Sequence, residues 1–287
     1  MKTGDINIRD PFVLVHGGKY YLYGTRGATC WSTASGFDVY VGDDLENWDG
    51  PIECFRNDGH FWADRNYWAP EVHAWRGAFY MFASFKAENV CRGTAILRAE
   101  TPQGPFRPHS DGPVTPRGWE CLDGTFYVSR AGKPYMVFCH EWVQAVDGEI
   151  LAMPLTDDLS APAGEPRLLF RASAPAWVKP IRQIDGKDAF VTDGPFLWRA
   201  ADGTLSCLWA SFSEDGYTEG IAVSGSGEID GPFEQVEPLF TRDGGHGMVF
   251  RALDGGLYLT LHSPNSHLEE RPRFYPLVER NGRLERV

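Results

Sequence analysis

Four carboxylates and one histidine sit at matching places along this 287-residue chain. Asp10, Glu71, Asp123, Asp193 and His246 each open a short apolar run that passes through a glycine-bearing turn into a second apolar run. A single Asp at the start of a strand is ordinarily a turn former. Four acids in register are different, because gathering like charges in a protein interior is costly unless each has a partner. Two carboxyl groups flanking a bond are the minimal apparatus for cleaving a glycoside: a protonated one hands its proton to the leaving oxygen, and an ionised one activates water or attacks directly. A third carboxylate nearby raises the pKa of the acid by repulsion.

Other residues fit the same chemistry. Trp31, Phe61, Trp62, Trp68, Trp119 and Trp142 flank strand ends, where aromatic faces can stack on sugars, although a lone Trp more often serves a core. The residues ending the second apolar runs are Thr25-Arg26, Ser84-Phe85-Lys86, His140-Glu141-Trp142, Ser211-Phe212-Ser213 and His262. These are expected to return to the face that carries the acids. Arg26 and Lys86 would then hold carboxylates ionised or bind hydroxyls, and Glu141 becomes a further acid candidate.

Positioning these groups requires a repeating scaffold. The five leading residues lie 61, 52, 70 and 53 positions apart, and hairpin repeats of that length indicate blades around an axis. Short strands, 32 Gly and 20 Pro agree with many tight turns. The expectation is an all-β, five-bladed β-propeller forming one domain over residues 1–287, with the first strand of each blade innermost. Asp43-Asp44-Leu45 echoes Asp157-Asp158-Leu159, and Gly104-Pro105-Phe106 echoes Gly231-Pro232-Phe233, so the repeat extends to outer strands. The segment from Arg271 to Val287 reads as the outer strands of the fifth blade.

Bulk properties narrow the function. A formal charge of −12 argues against a nucleic-acid partner, since such binding runs on Lys and Arg. No stretch approaches the roughly 20 apolar residues of a membrane span. Six cysteines show no metal-ligand spacing and read as free thiols in a reducing compartment. The N-terminus has no apolar signal region, so a cytoplasmic location is expected.

At these residues the chain resembles glycoside hydrolase family 43, whose five-bladed propellers hydrolyse arabinosides and xylosides with inversion. Arg9-Asp10-Pro11-Phe12 resembles the first-blade motif and implies that Asp10 is the general base. Trp68-Ala69-Pro70-Glu71 is similar to a motif lining the sugar site, and Asp123-Gly124-Thr125-Phe126 to the segment carrying a pKa-modulating aspartate. Gly245-His246-Gly247 resembles the axial histidine, which in some members faces a calcium ion or water; no other cofactor is implied. The family's general acid is usually Glu before Gly-Pro, whereas this chain has Asp193-Gly194-Pro195. Asp is one methylene shorter, and a displacement near 1 Å can cost about a hundredfold in rate. Asp193 and Glu141 therefore both stand as acid candidates. The resemblance implies an exo-acting hydrolase releasing terminal α-L-arabinofuranosyl or β-D-xylosyl units from pentose oligosaccharides. Catalytic residues would be Asp10, Asp123, Asp193 and Glu141. Arg26, Phe61, Trp62, Trp68, Glu71, Lys86, Trp142 and His246 would contact sugar, and His246 any metal. The competing readings are a non-catalytic sugar- or protein-binding propeller and a propeller glycosidase for another sugar.

Overall fold

A computed structural model describes residues 1–287. Five four-stranded antiparallel sheets form the blades, each from contiguous chain. Blade one holds β1 (Ile8–His16), β2 (Lys19–Arg26), β3 (Gly36–Gly42) and β4 (Asp49–Arg56). Blade two holds β5 (Arg65–Trp75), β6 (Ala78–Ala87), β7 (Val90–Ala99) and β8 (Arg107–Pro113). Blade three holds β9 (Cys121–Val128), β10 (Pro134–His140), β11 (Glu149–Pro154) and β12 (Arg167–Arg171). The hairpin β13 (Arg182–Ile184) and β14 (Lys187–Ala189) stands apart between blades three and four. Blade four holds β15 (Asp193–Arg199), β16 (Leu205–Ser213), β17 (Gly216–Ser224) and β18 (Phe233–Gln235). Blade five holds β19 (Gly245–Arg251), β20 (Leu257–Ser263), β21 (Arg271–Arg280) and β22 (Arg283–Arg286), so the C-terminal segment finishes that blade as expected. The one α-helix is the single turn α1 (Trp142–Ala145), and no helix is long and apolar enough to cross a membrane.

The inner strands are apolar on both faces because each blade is covered on both sides. In β2, Tyr20 through Thr25 are all buried, a continuous run instead of an alternation. Hydrophobic clusters fill the spaces between neighbouring blades: one joins blades one, two and five, and others join two with three, three with four, and four with five. The first strands close a ring in the order β1, β5, β9, β15, β19 and back to β1.

No strand is shared between the first and last blades. The apolar cluster shared with blade five closes the ring together with polar contacts: Asn7 Nδ2 donates to the Glu270 carbonyl at 3.0 Å, Arg9 pairs with Glu270 at 2.7 Å, and the Leu253 N–H donates to Tyr20 Oη at 2.8 Å. All six cysteines are unpaired, and five are buried.

Candidate active site

Every first strand is interrupted at the same place. Pairing with the second strand breaks between Arg9 and Phe12, Trp68 and Glu71, Leu122 and Thr125, Asp193 and Phe196, and Gly245 and Met248. In each bulge one residue takes a left-handed conformation: Asp10 (φ 52°), Ala69 (47°), Asp123 (56°), Gly194 (49°) and His246 (55°). Bulges of this kind re-aim a side chain and are frequent beside active sites.

These bulges correct the expected register. Ala69, not Glu71, holds the second-blade position in the ring, and Gly194, not Asp193, holds the fourth. Glu71 lies two residues further along β5, buried, with Oε2 3.0 Å from His73 Nε2, and does not line the cavity. Asp193 occupies the place that Arg9, Trp68 and Leu122 have in their own blades. Those four residues all line the cavity at the axis. Only glycine fits at 194, because an added Cβ would meet the His246 ring at 2.6 Å.

Second strands from neighbouring blades fix the bulges. The Thr25 hydroxyl donates to Asp10 Oδ2 at 2.5 Å and accepts the Ala69 N–H at 2.8 Å. Ser84 Oγ accepts the Asp123 N–H at 2.7 Å, and His262 Nδ1 accepts the Asp10 N–H at 3.1 Å. Burial and the neighbouring Arg9 push His262 down to about 3. Its ring is therefore neutral, with Nε2 donating to Asn265 Oδ1 at 3.2 Å. Side chains alternate along a strand, so Thr25 faces the ring and Arg26 does not; Ser84 faces it too, while Lys86, at an irregularity in β6 between Phe85 and Ala87, does not line the cavity. Arg26 instead forks onto Asp38 at 2.7 and 2.6 Å, and Lys86 holds both Glu120 oxygens at 2.8 Å.

The resulting cavity is about 380 Å³. Asp10, Asp123, Asp193, Glu141, Trp68, Trp142 and His246 line it, together with Arg9, Trp31, Phe212, Tyr217 and Asn265. Phe61 and Trp62 lie elsewhere, against a different cavity. Trp31, 57% exposed, stands edge-on to Trp68 with ring centres 5.2 Å apart. Arg182, at the foot of the β13–β14 hairpin, covers the Trp142 ring at 4.4 Å. Trp119 stacks on His140 outside the cavity.

The acids are tuned apart. Burial alone would raise Asp10, but His246 Nδ1 at 3.2 Å, the Arg9 guanidinium and the Thr25 hydroxyl outweigh it and hold the carboxyl below its ordinary value. Asp193 is pushed up to about 7 by burial and by repulsion from Asp123, against the pull of His246 and a Tyr217 hydroxyl that donates to Oδ2 at 3.0 Å. Asp123 is raised well above the usual range, chiefly by burial and by Asp10, while the Gly194 N–H donates to its Oδ2 at 3.1 Å. Glu141 is also raised by burial, yet it pairs with Arg92 Nη1 at 3.2 Å. That guanidinium lies 3.9 Å from the centre of the Trp68 ring, so Glu141 anchors a cation that backs an aromatic wall.

Arg92 and Tyr217 were not singled out in the sequence. Tyr217 had a signal beside it: Gly245 must be glycine because an added Cβ would meet the Tyr217 ring at 2.8 Å. At His246, where the resemblance allows either a calcium ion or water, the side chains supply no ligand set for calcium. No group of three or more His, Cys, Asp or Glu is arranged to hold a metal ion, and His246 Nδ1 faces Asp10 at 3.2 Å and Asp123 at 3.7 Å. Calcium takes six to eight oxygens; these residues do not fit it.

Residues 5–287 match the model of glycosyl hydrolases family 43. An endo-arabinase structure from Bacteroides thetaiotaomicron is 39% identical, covers 98% of both chains and superposes with a TM-score of 0.92. A thermostable family-43 glycoside hydrolase, 23% identical over 99% of this chain and 94% of that one, has the same fold with a TM-score of 0.86. An extracellular exo-α-(1→5)-L-arabinofuranosidase of Cellvibrio japonicus (strain Ueda107) is 23% identical over 290 residues, spanning 90% of this chain and 79% of that one.

Proposed function

Because this chain belongs to glycosyl hydrolases family 43 and is therefore a glycoside hydrolase, we propose that it inverts the anomeric centre while releasing terminal α-L-arabinofuranosyl or β-D-xylosyl units from pentose oligosaccharides. The observation that carries the chemistry is the division between two acids in one cavity. Asp10 is held ionised and Asp193 is pushed up to about 7, and carboxyl groups driven apart in this way mark a base and an acid.

In this reading Asp10 takes a proton from a water molecule as that water attacks the anomeric carbon. Asp193 gives its proton to the departing oxygen, and the bond from that oxygen to the sugar breaks. Asp123 raises Asp193 by repulsion whenever it is itself ionised, so the pair does not carry two charges, and Asp123 stays out of the bond changes itself. Glu141, paired with Arg92, is assigned to the cavity wall. No cofactor enters these steps, so dialysis against a chelator should leave kcat/KM unchanged.

Terminal release is supported by the modest cavity, which lies toward the lower end of small-molecule sites. Similarity to the exo-acting arabinofuranosidase supports it too. Internal cleavage is the second reading, favoured by the 39% identity to the endo-arabinase. A time course on linear arabino- and xylo-oligosaccharides separates them: exo action yields monosaccharide from the start, endo action a spread of shorter chains. Proton NMR of the first product reports inversion directly. Six unpaired cysteines support a reducing, cytoplasmic setting.

The acid assignment is tested by Asp193→Asn and Glu141→Gln. Loss of a general acid costs about 10²- to 10⁴-fold on a natural substrate and little on an activated aryl glycoside, whose leaving group needs no proton. Asp193→Asn should show that split. Should Glu141→Gln show it instead, the roles of the two are exchanged.

A further inference from the structure

Phe61 and Trp62 sit on a second cavity, about 530 Å³, larger than the catalytic one. It lies at the outer rim of blade two, between the end of β4, the turn from β6 to β7, and the end of β8. Strands in a blade alternate in direction, so the starts of odd-numbered strands and the ends of even-numbered strands in blades one and two share one end of the propeller. That end also carries the bulges of the first strands. The second cavity reaches that end at Arg56, Val90 and Pro113 and runs along β8 to Arg107.

Its lining has the composition of a sugar site. Phe61 and Trp62 are partly exposed aromatics, and aromatic faces suit the apolar side of a sugar ring. Charge around them is balanced. Arg56 pairs with Glu53 at 2.5 Å and Arg117 with Asp111 at 3.6 Å, which leaves Arg107 and Asp58 as one charge of each sign outside an ion pair, with Asp58 Oδ1 accepting the His60 N–H at 3.0 Å. Such a rim offers donors and acceptors to hydroxyls without favouring an anion or a cation. The buried Trp62 Nε1–H has no partner in the fold. Unpartnered buried donors are rare, and this one lies on a residue that lines the cavity.

We propose that this cavity is a subsidiary binding site for a neutral pentose oligosaccharide, holding chains at the end of the propeller where they are cleaved. The proposal rests on the substrate class given above. A second contact raises the effective concentration of a long chain at the catalytic cavity and does nothing for a short one. Removing the site should therefore raise KM for long substrates and leave aryl glycosides unaffected.

The exposed pair His60→Ala/Arg107→Ala removes polar contacts with little risk to folding, and Trp62→Ala removes the aromatic face. Each is assayed in the full chain on polymeric arabinan or xylan and on the matching nitrophenyl pentoside. The expected result is a rise of about fivefold in KM for the polymer, the scale of one lost aromatic or hydrogen-bonded contact, with nitrophenyl kinetics unchanged. Unchanged KM on the polymer in both variants would overturn the second site alone. Stronger binding of an oligogalacturonate than of an arabino-oligosaccharide, measured by calorimetry in Asp10→Asn, would overturn its neutral character. A wild-type enzyme that leaves every pentose substrate intact would overturn the substrate reading itself.

Discussion

At the scale of residues, two aspartates of one cavity differ in what surrounds them. Asp10 meets His246, Arg9 and the Thr25 hydroxyl, and its charge is stabilised; Asp193 is enclosed beside Asp123, and its charge is opposed. The proposed mechanism needs the first ionised and the second protonated. The kcat/KM profile should then rise through a limb below the ordinary aspartate value and fall through a limb near pH 7, where Asp193 loses its proton. Asp10→Asn keeps the shape and removes the base; it should abolish turnover while thermal unfolding stays close to wild type, and undiminished activity would refute the assignment. Tyr217 is the residue that holds the shortened acid. Its hydroxyl favours the ionised form of Asp193, so Tyr217→Phe should move the basic limb to higher pH and lower kcat as the carboxyl loses its fixed position. A Tyr217→Phe profile with the basic limb unmoved would mean that the hydroxyl does not govern Asp193. The acids and several of the tryptophans were legible in the sequence because their types are unusual at strand starts and ends. Tyr217 and Arg92 were not, since each reaches the site from a third strand whose distance from the axis no local pattern records.

At the scale of elements, the bulge in each first strand decides which side chain reaches the axis. The five acid-led repeats placed the strands correctly but were aligned on charge, and charge put Glu71 two residues and Asp193 one residue away from the positions that bulge inward. A side-chain period of two turns a one-residue slip into a change of face, and that is how Arg26 came to be expected where Thr25 stands; Lys86 is diverted by an irregularity in β6 between Phe85 and Ala87. The packing of one bulge on the next makes a direct prediction. In Gly194→Ala the new Cβ would lie 2.6 Å from the His246 ring at a positive φ that alanine disfavours. The expected cost is about 1–3 kcal/mol in denaturant unfolding, with a drop in kcat as His246 shifts against Asp10. Loss of stability without loss of rate would separate His246 from catalysis.

At the scale of the whole molecule, the site exists only because the ring closes. The Arg9–Glu270 pair spans the seam between the first and last blades, and Glu270 is fully buried. Removing one partner of a buried pair leaves the other uncompensated, at about 3–5 kcal/mol. Glu270→Ala should lower the midpoint of unfolding by that measure, and because Arg9 helps to hold Asp10 ionised, a freed Arg9 should also shift the acid limb of the pH profile. An unchanged midpoint would show that the seam is held elsewhere. The sequence by itself determined the repeating hairpins, their number, the all-β class and the identity of the acids, because apolar runs, turn glycines and charged strand starts are local signals. Only the tertiary structure decided which residues share the cavity, which acid is held charged and which is kept protonated, and that Phe61 and Trp62 face a separate hollow. Those properties depend on distances between blades and on the low-dielectric surroundings that closure creates, and neither is written in any one segment of the chain.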